Sequence, residues 1–191
     1  MQPGALDELC AQMQREIPGF SVGFKDQSWH QHALGTLLWP INRRYVNGYV
    51  TVLGRTVWWP SEQRFRNDPS VLGTLLHERV HLWDWRDSPF WFPASYVFFG
   101  PVVWTKRAHW ERRGYVIDLV LQQRRGTPVE WQKSWMKQVF CGSDYGWMWP
   151  NPGAVDAWVD RVLAQGLATE LEGPLLHSTQ AWVDRISPPK R

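Results

Sequence analysis

Two histidines four residues apart constrain this chain more than any other feature of its sequence. His77 and His81 enclose Glu78 in the pattern His-Glu-x-x-His, within a segment whose apolar residues recur at helical spacing. Asp68 and Pro69 supply an N-cap and a first helical residue, which predicts that a helix begins there. On a helix, residues four apart differ by about 40° around the axis and about 6 Å along it. Both imidazoles can therefore reach one ion.

This arrangement of residue types is suited to zinc chemistry. Neutral imidazole nitrogens bind Zn²⁺ well, and a catalytic zinc site combines three protein ligands with a fourth position that is open to water. Glu78, beside His77, is placed to take a proton from that water as a general base. The competing interpretation is that two surface histidines merely share one helical turn.

A third ligand is needed, and Glu111 is the leading candidate. It lies thirty residues beyond His81, in a second predicted helix that runs from Pro101 to about Arg125. The segment between the two helices is long enough to turn the chain and bring the second helix back against the first. The competing role for Glu111 is an ordinary ion pair with Arg107, four residues earlier.

Other residues compete for this position or could support it. His109 is two residues from Glu111, which on a regular helix points the two side chains about 160° apart. Asp144 is a weaker candidate in the segment after the third helix. Asp84, one turn after His81, and Asp118 could each orient a ligating histidine.

The region before the motif is predicted to form strands, over residues 20–60. Asn47-Gly48 predicts one hairpin, and Gly54-Arg55 predicts another between residues 49–53 and 56–59. The apolar run of residues 34–39 falls within this region. Pro60 ends the strand Thr56–Trp59 or marks it as an edge strand.

Helices are predicted over most of the remainder. An amphipathic helix occupies the N-terminal residues 1–19, and further helices begin at Pro128, cover residues 152–165, and leave a short apolar piece at 180–186. Strands followed by helices indicate the α+β class. We expect a single domain over residues 1–191, with its motif core at 56–121, a helical part at 128–186 and a frayed tail at 187–191.

Composition excludes several classes of function. The positive and negative residues number 21 and 18, and arginine pairs are scattered, so no specific nucleic-acid binding is expected. The charge-free stretch of residues 88–105 is interrupted by Pro93, Gly100 and Pro101, which argues against a membrane span. The N-terminal helix does not resemble a signal peptide, and only Cys10 and Cys141 could pair. These features predict a cytoplasmic location or one within a larger particle.

The motif and its surroundings resemble a known group of proteins. His77–His81, the following Leu-Trp-Asp-Trp, Tyr96, and the segment from Arg107 to Tyr115 are similar to small zincin-like proteins of the gluzincin type, in which a downstream Glu follows His-Glu-x-x-His. The resemblance covers residues 56–121. It implies a zinc-dependent peptidase fold in which a small antiparallel or mixed sheet holds an extended substrate, by an edge strand, above the motif helix.

The leading hypothesis is a zinc metallopeptidase. His77, His81 and Glu111 bind Zn²⁺, Glu78 activates water, and the strand Thr56–Trp59 pairs with a peptide or protein substrate. The residue that stabilises the oxyanion stays open among Tyr115, Tyr145 and His177.

Two other hypotheses come from different classes. The fold could serve as a catalytically silent structural subunit of a larger assembly, such as a phage particle, with contacts through its aromatic surface. It could instead bind glycans or cell wall through some of its 15 tryptophans. Seven of these, at positions 58, 59, 83, 85, 91, 104 and 110, lie near the motif in the sequence and are expected to pack around a metal cleft.

Overall fold

The computed structural model describes residues 4–39, 43–97, 106–143 and 147–188. The chain divides into two compact units, Met1–Arg86 and Asp87–Arg191. The described residues are mostly helical and include one small sheet, which confirms the α+β class. None of the helices described is long and apolar enough to cross a membrane.

The first unit combines helices with the sheet. Its elements are α1 (Ala5–Glu16), β1 (Ser21–Phe24), α2 (Trp29–Leu38), α3 (Tyr45–Gly48), β2 (Thr51–Leu53), β3 (Thr56–Trp59), α4 (Glu62–Asn67) and α5 (Val71–Asp87). The N-terminal helix confirms its prediction and buries Ala5, Leu9 and Met13.

The sheet is mixed, with strand order β1-β3-β2. β1 runs parallel to β3 and pairs Ser21 with Thr56, whereas β2 runs antiparallel to β3 and pairs Leu53 with Thr56. The hairpin predicted at Gly54-Arg55 is confirmed, and Gly54 takes the positive φ of 64° that its turn requires. The prediction that Thr56–Trp59 is an edge strand is wrong, because this strand is central and paired on both sides.

The prediction of strands over residues 20–60 is wrong in two places. Residues 34–39 belong mainly to α2, whose N-cap Ser28 accepts a hydrogen bond from the Gln31 amide at 3.4 Å. Asn47-Gly48 does not form a hairpin turn; it lies in α3, where the Gly48 amide donates to the Arg44 carbonyl at 2.7 Å. A local turn signal was overridden there by helical hydrogen bonding.

The motif helix α5 follows the prediction closely. It begins at Val71, shortly after the predicted cap, and the Asp68 carboxylate accepts from the Ser70 amide at 2.8 Å. The Val71 amide donates to the Asp68 carbonyl at 3.1 Å. The turn just before the helix is therefore held by Asp68, as a capping residue holds it.

The second unit is helical in the parts described. It contains α6 (Trp91–Val97), α7 (Lys106–Arg125), α8 (Val129–Cys141), α9 (Pro152–Gln165) and α10 (Gly173–Ile186). α7 ends as predicted, since Gly126 has φ 82° and the Thr127 amide donates to the Gln122 carbonyl at 3.0 Å. Its predicted start at Pro101 lies outside the described residues. α10 is longer than the apolar piece predicted at 180–186.

The core of the second unit is built around aromatic side chains. Trp158 is fully buried, contacts Phe140 with ring centroids 5.4 Å apart, and donates its indole N–H to Glu170 at 2.8 Å. α8 and α9 pack against each other here. A buried indole whose hydrogen bond is satisfied is a stable way to fill a core with tryptophan.

Candidate metal centre

His77 and His81 lie on one face of α5, as their spacing predicts. Their ring centroids are 5.0 Å apart, and the residues are only 9% and 5% exposed. Two imidazoles so close together and so well removed from water are poorly explained as surface histidines. The arrangement is that of a pair able to bind one cation.

Asp84, one of the two residues predicted to orient a histidine, lies beside His81. Its Oδ2 lies 3.6 Å from Nδ1 of His81, and both side chains are buried. A carboxylate on the Nδ1 side favours the tautomer that leaves Nε2 available as a ligand atom. The other candidate, Asp118, lies in α7 and is half-buried.

Glu111 lies in α7 and is 7% exposed. Among the described residues, one ligand atom from each of His77, His81 and Glu111 lies within 4.8 Å of the other two. The predicted ion pair with Arg107 is present at its outer limit, with Nε 4.0 Å from Oε1. His109 is exposed, in agreement with the helical angle that separates it from Glu111.

Glu78 is buried on α5, at 8% exposed, and lies within the electrostatic reach of a cation that sequence reasoning missed. Lys25 has no exposed surface and follows β1 directly. Its Nζ donates to the carbonyls of Tyr45 at 2.8 Å and Tyr49 at 2.9 Å, and it lies 4.1 Å from the centroid of the Tyr45 ring.

The pKa of Lys25 shows how strongly this cation is removed from water. Burial lowers the pKa to about 8, although the negative charge of Glu78 acts in the opposite direction. The partners of Lys25 are main-chain carbonyls 20 and 24 residues away, so no local pattern in the sequence predicts these hydrogen bonds.

A second buried cation lies inside the motif itself. Arg79 has no exposed side-chain surface and forms two hydrogen bonds of 2.7 Å to the carboxylate of Glu16 in α1. The Trp83 indole donates to the same carboxylate at 3.2 Å. Burial alone would raise the pKa of Glu16, but the hydrogen bonds from Arg79, Gln12 and Trp83 bring it below its ordinary value. This pair fixes α5 against α1.

The other residues predicted for the site lie in different environments. Tyr115 is buried against Trp135 and Phe140, with ring centroids 5.8 and 5.7 Å away. His177 is exposed on α10. Asp144 and Tyr145 lie outside the described residues, as does Trp104. Of the tryptophans near the motif in the sequence, Trp59 is buried, whereas Trp91 is 63% exposed.

Comparisons with known proteins give no match for this chain. The chain matches no protein-family model, and neither curated proteins nor solved structures give a match.

Proposed function

We propose that this protein is a zinc-dependent metallopeptidase with a zincin-like fold. The observation that carries the proposal is the donor set of His77, His81 and Glu111, with its ligand atoms within 4.8 Å of one another and Glu78 next to the first histidine. Ligands about 2.1 Å from a tetrahedral zinc ion are roughly 3.4 Å apart. The three ligand atoms are at most about 1.4 Å farther apart than that spacing, and their chemical types are those that zinc binds, so the residues present fit the metal.

The ion would supply Lewis acidity, polarising the peptide carbonyl and lowering the pKa of water. Glu78 accepts a proton from water on a carboxylate oxygen while the water oxygen bonds to the peptide carbonyl carbon. It delivers that proton to the amide nitrogen as the C–N bond breaks, which yields a carboxylic acid and an amine. The buried Lys25 lies within the electrostatic reach of Glu78, so a positive charge adjoins the proposed general base.

The substrate strand must differ from the one expected from the sequence. β3 has partners on both sides, so a peptide cannot pair with it. β1, Ser21–Phe24, pairs with β3 on one side and is an edge of the described sheet. Lys25 directly follows this strand and interacts electrostatically with Glu78. We therefore assign the pairing with an extended substrate to β1.

The test separates metal binding from hydrolysis. Zinc content is measured by mass spectrometry on the purified full chain, and cleavage is followed by mass spectrometry on a mixed peptide library. The wild type is expected to bind one zinc and cleave peptides, whereas Glu78→Gln keeps the zinc and loses at least about 100-fold of the rate. His109→Ala, which changes an exposed histidine two residues from Glu111, leaves both unchanged.

Two results would contradict the peptidase proposal in different ways. The wild type could bind zinc but cleave no peptide, with Glu78→Gln entering a larger assembly as readily as the wild type. In that case the metal stabilises a structural subunit. If the wild type holds no zinc and binds glycans equally well with a chelator present, the tryptophan-rich surface carries the function instead. Peptide cleavage by Glu78→Gln at the wild-type rate would exclude Glu78 as the general base.

A further inference from the structure

Helix α2 exposes large apolar side chains and buries small or polar ones. Trp29 is 81% exposed and Leu37 is 74% exposed, and Trp39 at the C-cap is 57% exposed. Trp29, Ala33 and Leu37 are spaced four apart, so they occupy one arc of about 80° on the outer face. We call Trp29, Ala33 and Leu37 the outer face of α2; Trp39 is exposed at the C-terminal end of the helix, on a different side from Leu37.

The opposite side of α2 packs against the rest of the first unit. Gln31 is fully buried there and accepts a hydrogen bond from the Tyr45 hydroxyl at 2.8 Å. Gly35 is also buried, and a Cβ added to it would meet Cγ2 of Val46 at 2.5 Å. The inner side of the helix is thus fixed by close approach and a hydrogen bond. Its largest apolar groups are left outside, in water, at a cost that a partner would remove.

The segment that carries the outer face is basic, and Asp26, which is exposed beside the N-terminal end of α2, immediately precedes it. Residues 27–61 contain no Asp or Glu, although the chain has 18 acidic residues. The same stretch contains Arg43, Arg44 and Arg55, all of them exposed. The guanidinium of Arg43 lies 5.8 Å from the centroid of the Trp39 ring, so positive charge adjoins the C-terminal end of α2.

We propose that the outer face of α2 docks on a bilayer surface that contains anionic phospholipid. Trp29 and Leu37 enter the interfacial layer, and Arg43 and Arg44, which follow the C-terminal end of the helix, bind lipid phosphates. Indole rings favour the boundary between headgroups and acyl chains, and arginine forms bidentate hydrogen bonds with phosphate. This interaction goes beyond the proposed peptidase activity and does not depend on it.

The sign of the charge selects this occupant over a second copy of the chain. Two copies that paired in parallel through the outer face would bring their arginines together, and like charges at an interface are unfavourable. An anionic bilayer instead attracts each arginine near its surface, and added salt weakens that attraction. A single helix with large side chains on its outward arc is also the form taken by interfacial helices.

Vesicle flotation of the full chain tests the proposal. Neutral phosphatidylcholine vesicles are compared with vesicles that also contain phosphatidylglycerol, and hydrogen exchange localises the contact. We expect at least about tenfold stronger binding to the anionic vesicles, weakened by salt, with slower amide exchange in residues 29–39. Trp29→Ser with Leu37→Ser should weaken the binding by about tenfold or more. Arg43→Glu should also weaken binding to the anionic vesicles, and it does so without removing apolar surface.

Matched variants in the second unit serve as controls. Phe90 and Val129 are 84% and 43% exposed, so Phe90→Ser with Val129→Ser removes exposed apolar surface elsewhere. Arg125→Glu changes an exposed arginine that is distant in sequence from α2. Both controls should bind anionic vesicles as the wild type does.

Four results would overturn the proposal. Equal binding to the neutral and anionic vesicles, or an equal loss in the control variants, would remove the assigned specificity. A dimer that is lost in the Trp29→Ser, Leu37→Ser variant, without vesicle binding by the wild type, would assign the face to a second copy. Preferential binding to soluble polyglutamate would assign it to an acidic protein.

Discussion

Helices α5 and α2 of the first unit depart from ordinary burial in opposite directions. α5 buries five ionisable residues, namely His77, Glu78, Arg79, His81 and Asp84. α2 exposes Trp29 and Leu37 while it buries Gln31 and Gly35. Apolar groups normally supply the buried side of a helix and polar groups the exposed side.

Each departure has a separate physical meaning. Buried ionisable groups are stable only when they are paired or bind an ion. Arg79 of α5 meets this condition through Glu16, and we propose that a metal ion meets it for His77 and His81. Exposed tryptophan and leucine lower the free energy only when a partner covers them. We therefore propose that the buried residues of α5 serve the metal site and that the exposed residues of α2 bind a partner.

The largest expected effect comes from breaking the buried pair of α5. Arg79→Met changes the volume little but leaves the half-buried Glu16 carboxylate without its two short hydrogen bonds. The free energy of unfolding should fall by about 3 kcal/mol, the lower end of the range for a fully buried pair. Denaturant titration measures it. Replacing both residues, as Glu16→Gln with Arg79→Met, should restore a large part of the loss.

An exposed ion pair of similar chemistry provides the control for this prediction. Arg66 and Glu62 form a pair of 2.7 Å on α4, with side chains 68% and 42% exposed. Arg66→Met should cost less than about 0.5 kcal/mol, because exposed pairs are screened by water. A loss as small for Arg79→Met would show that the buried pair does not fix α5.

The next effect concerns Lys25, whose folded-state pKa of about 8 lies below its ordinary value of 10.5. Between these pH values the unfolded chain binds more protons, so the free energy of unfolding should rise as the pH rises from about 8 to 10.5. The rise should be roughly 2–3 kcal/mol, and Lys25→Met should lack it. Denaturant titrations of both proteins across this range measure the difference; parallel pH curves would contradict the burial of a charged lysine.

The smallest effect tests the inner side of α2. Gly35→Ala would normally favour a helix by about 1 kcal/mol, but the new methyl group meets the stiff side chain of Val46. We expect a net loss of about 1–2 kcal/mol in thermal or denaturant unfolding. Gly153→Ala in α9 is the control, since its nearest neighbour, Oδ1 of Asn151, would be 3.6 Å away. A stabilising Gly35→Ala would show that α2 does not pack closely on Val46.

Local signals allowed much of the fold to be predicted. α9 has the predicted bounds because Asn151 accepts from the Ala154 amide at 3.0 Å and Pro152 begins the helix. Gly126 ends α7 for the same kind of reason, a residue whose own conformation sets the boundary. These features need no knowledge of distant residues.

The elements that prediction missed depend on distant or unusual contacts. Periodicity identifies a helix when its large apolar residues face the core, and in α2 they face outward, so the run of residues 34–39 was interpreted as a strand. β3 became central only because β1, more than thirty residues earlier, pairs with it in parallel. The proposed metal ligands could be named from the sequence because the chemistry of zinc restricts residue type and spacing, whereas Lys25 follows no such rule.

Zinc titration of the metal-free protein tests the central claim most directly. Calorimetry should give one tight site per chain for the wild type and for Glu78→Gln, and about a 100-fold weaker site or none for Glu111→Gln. Glu130→Gln, which changes an exposed glutamate of α8, should bind zinc as the wild type does. Wild-type affinity in Glu111→Gln, or no zinc site in the wild type, would contradict the proposed metal centre.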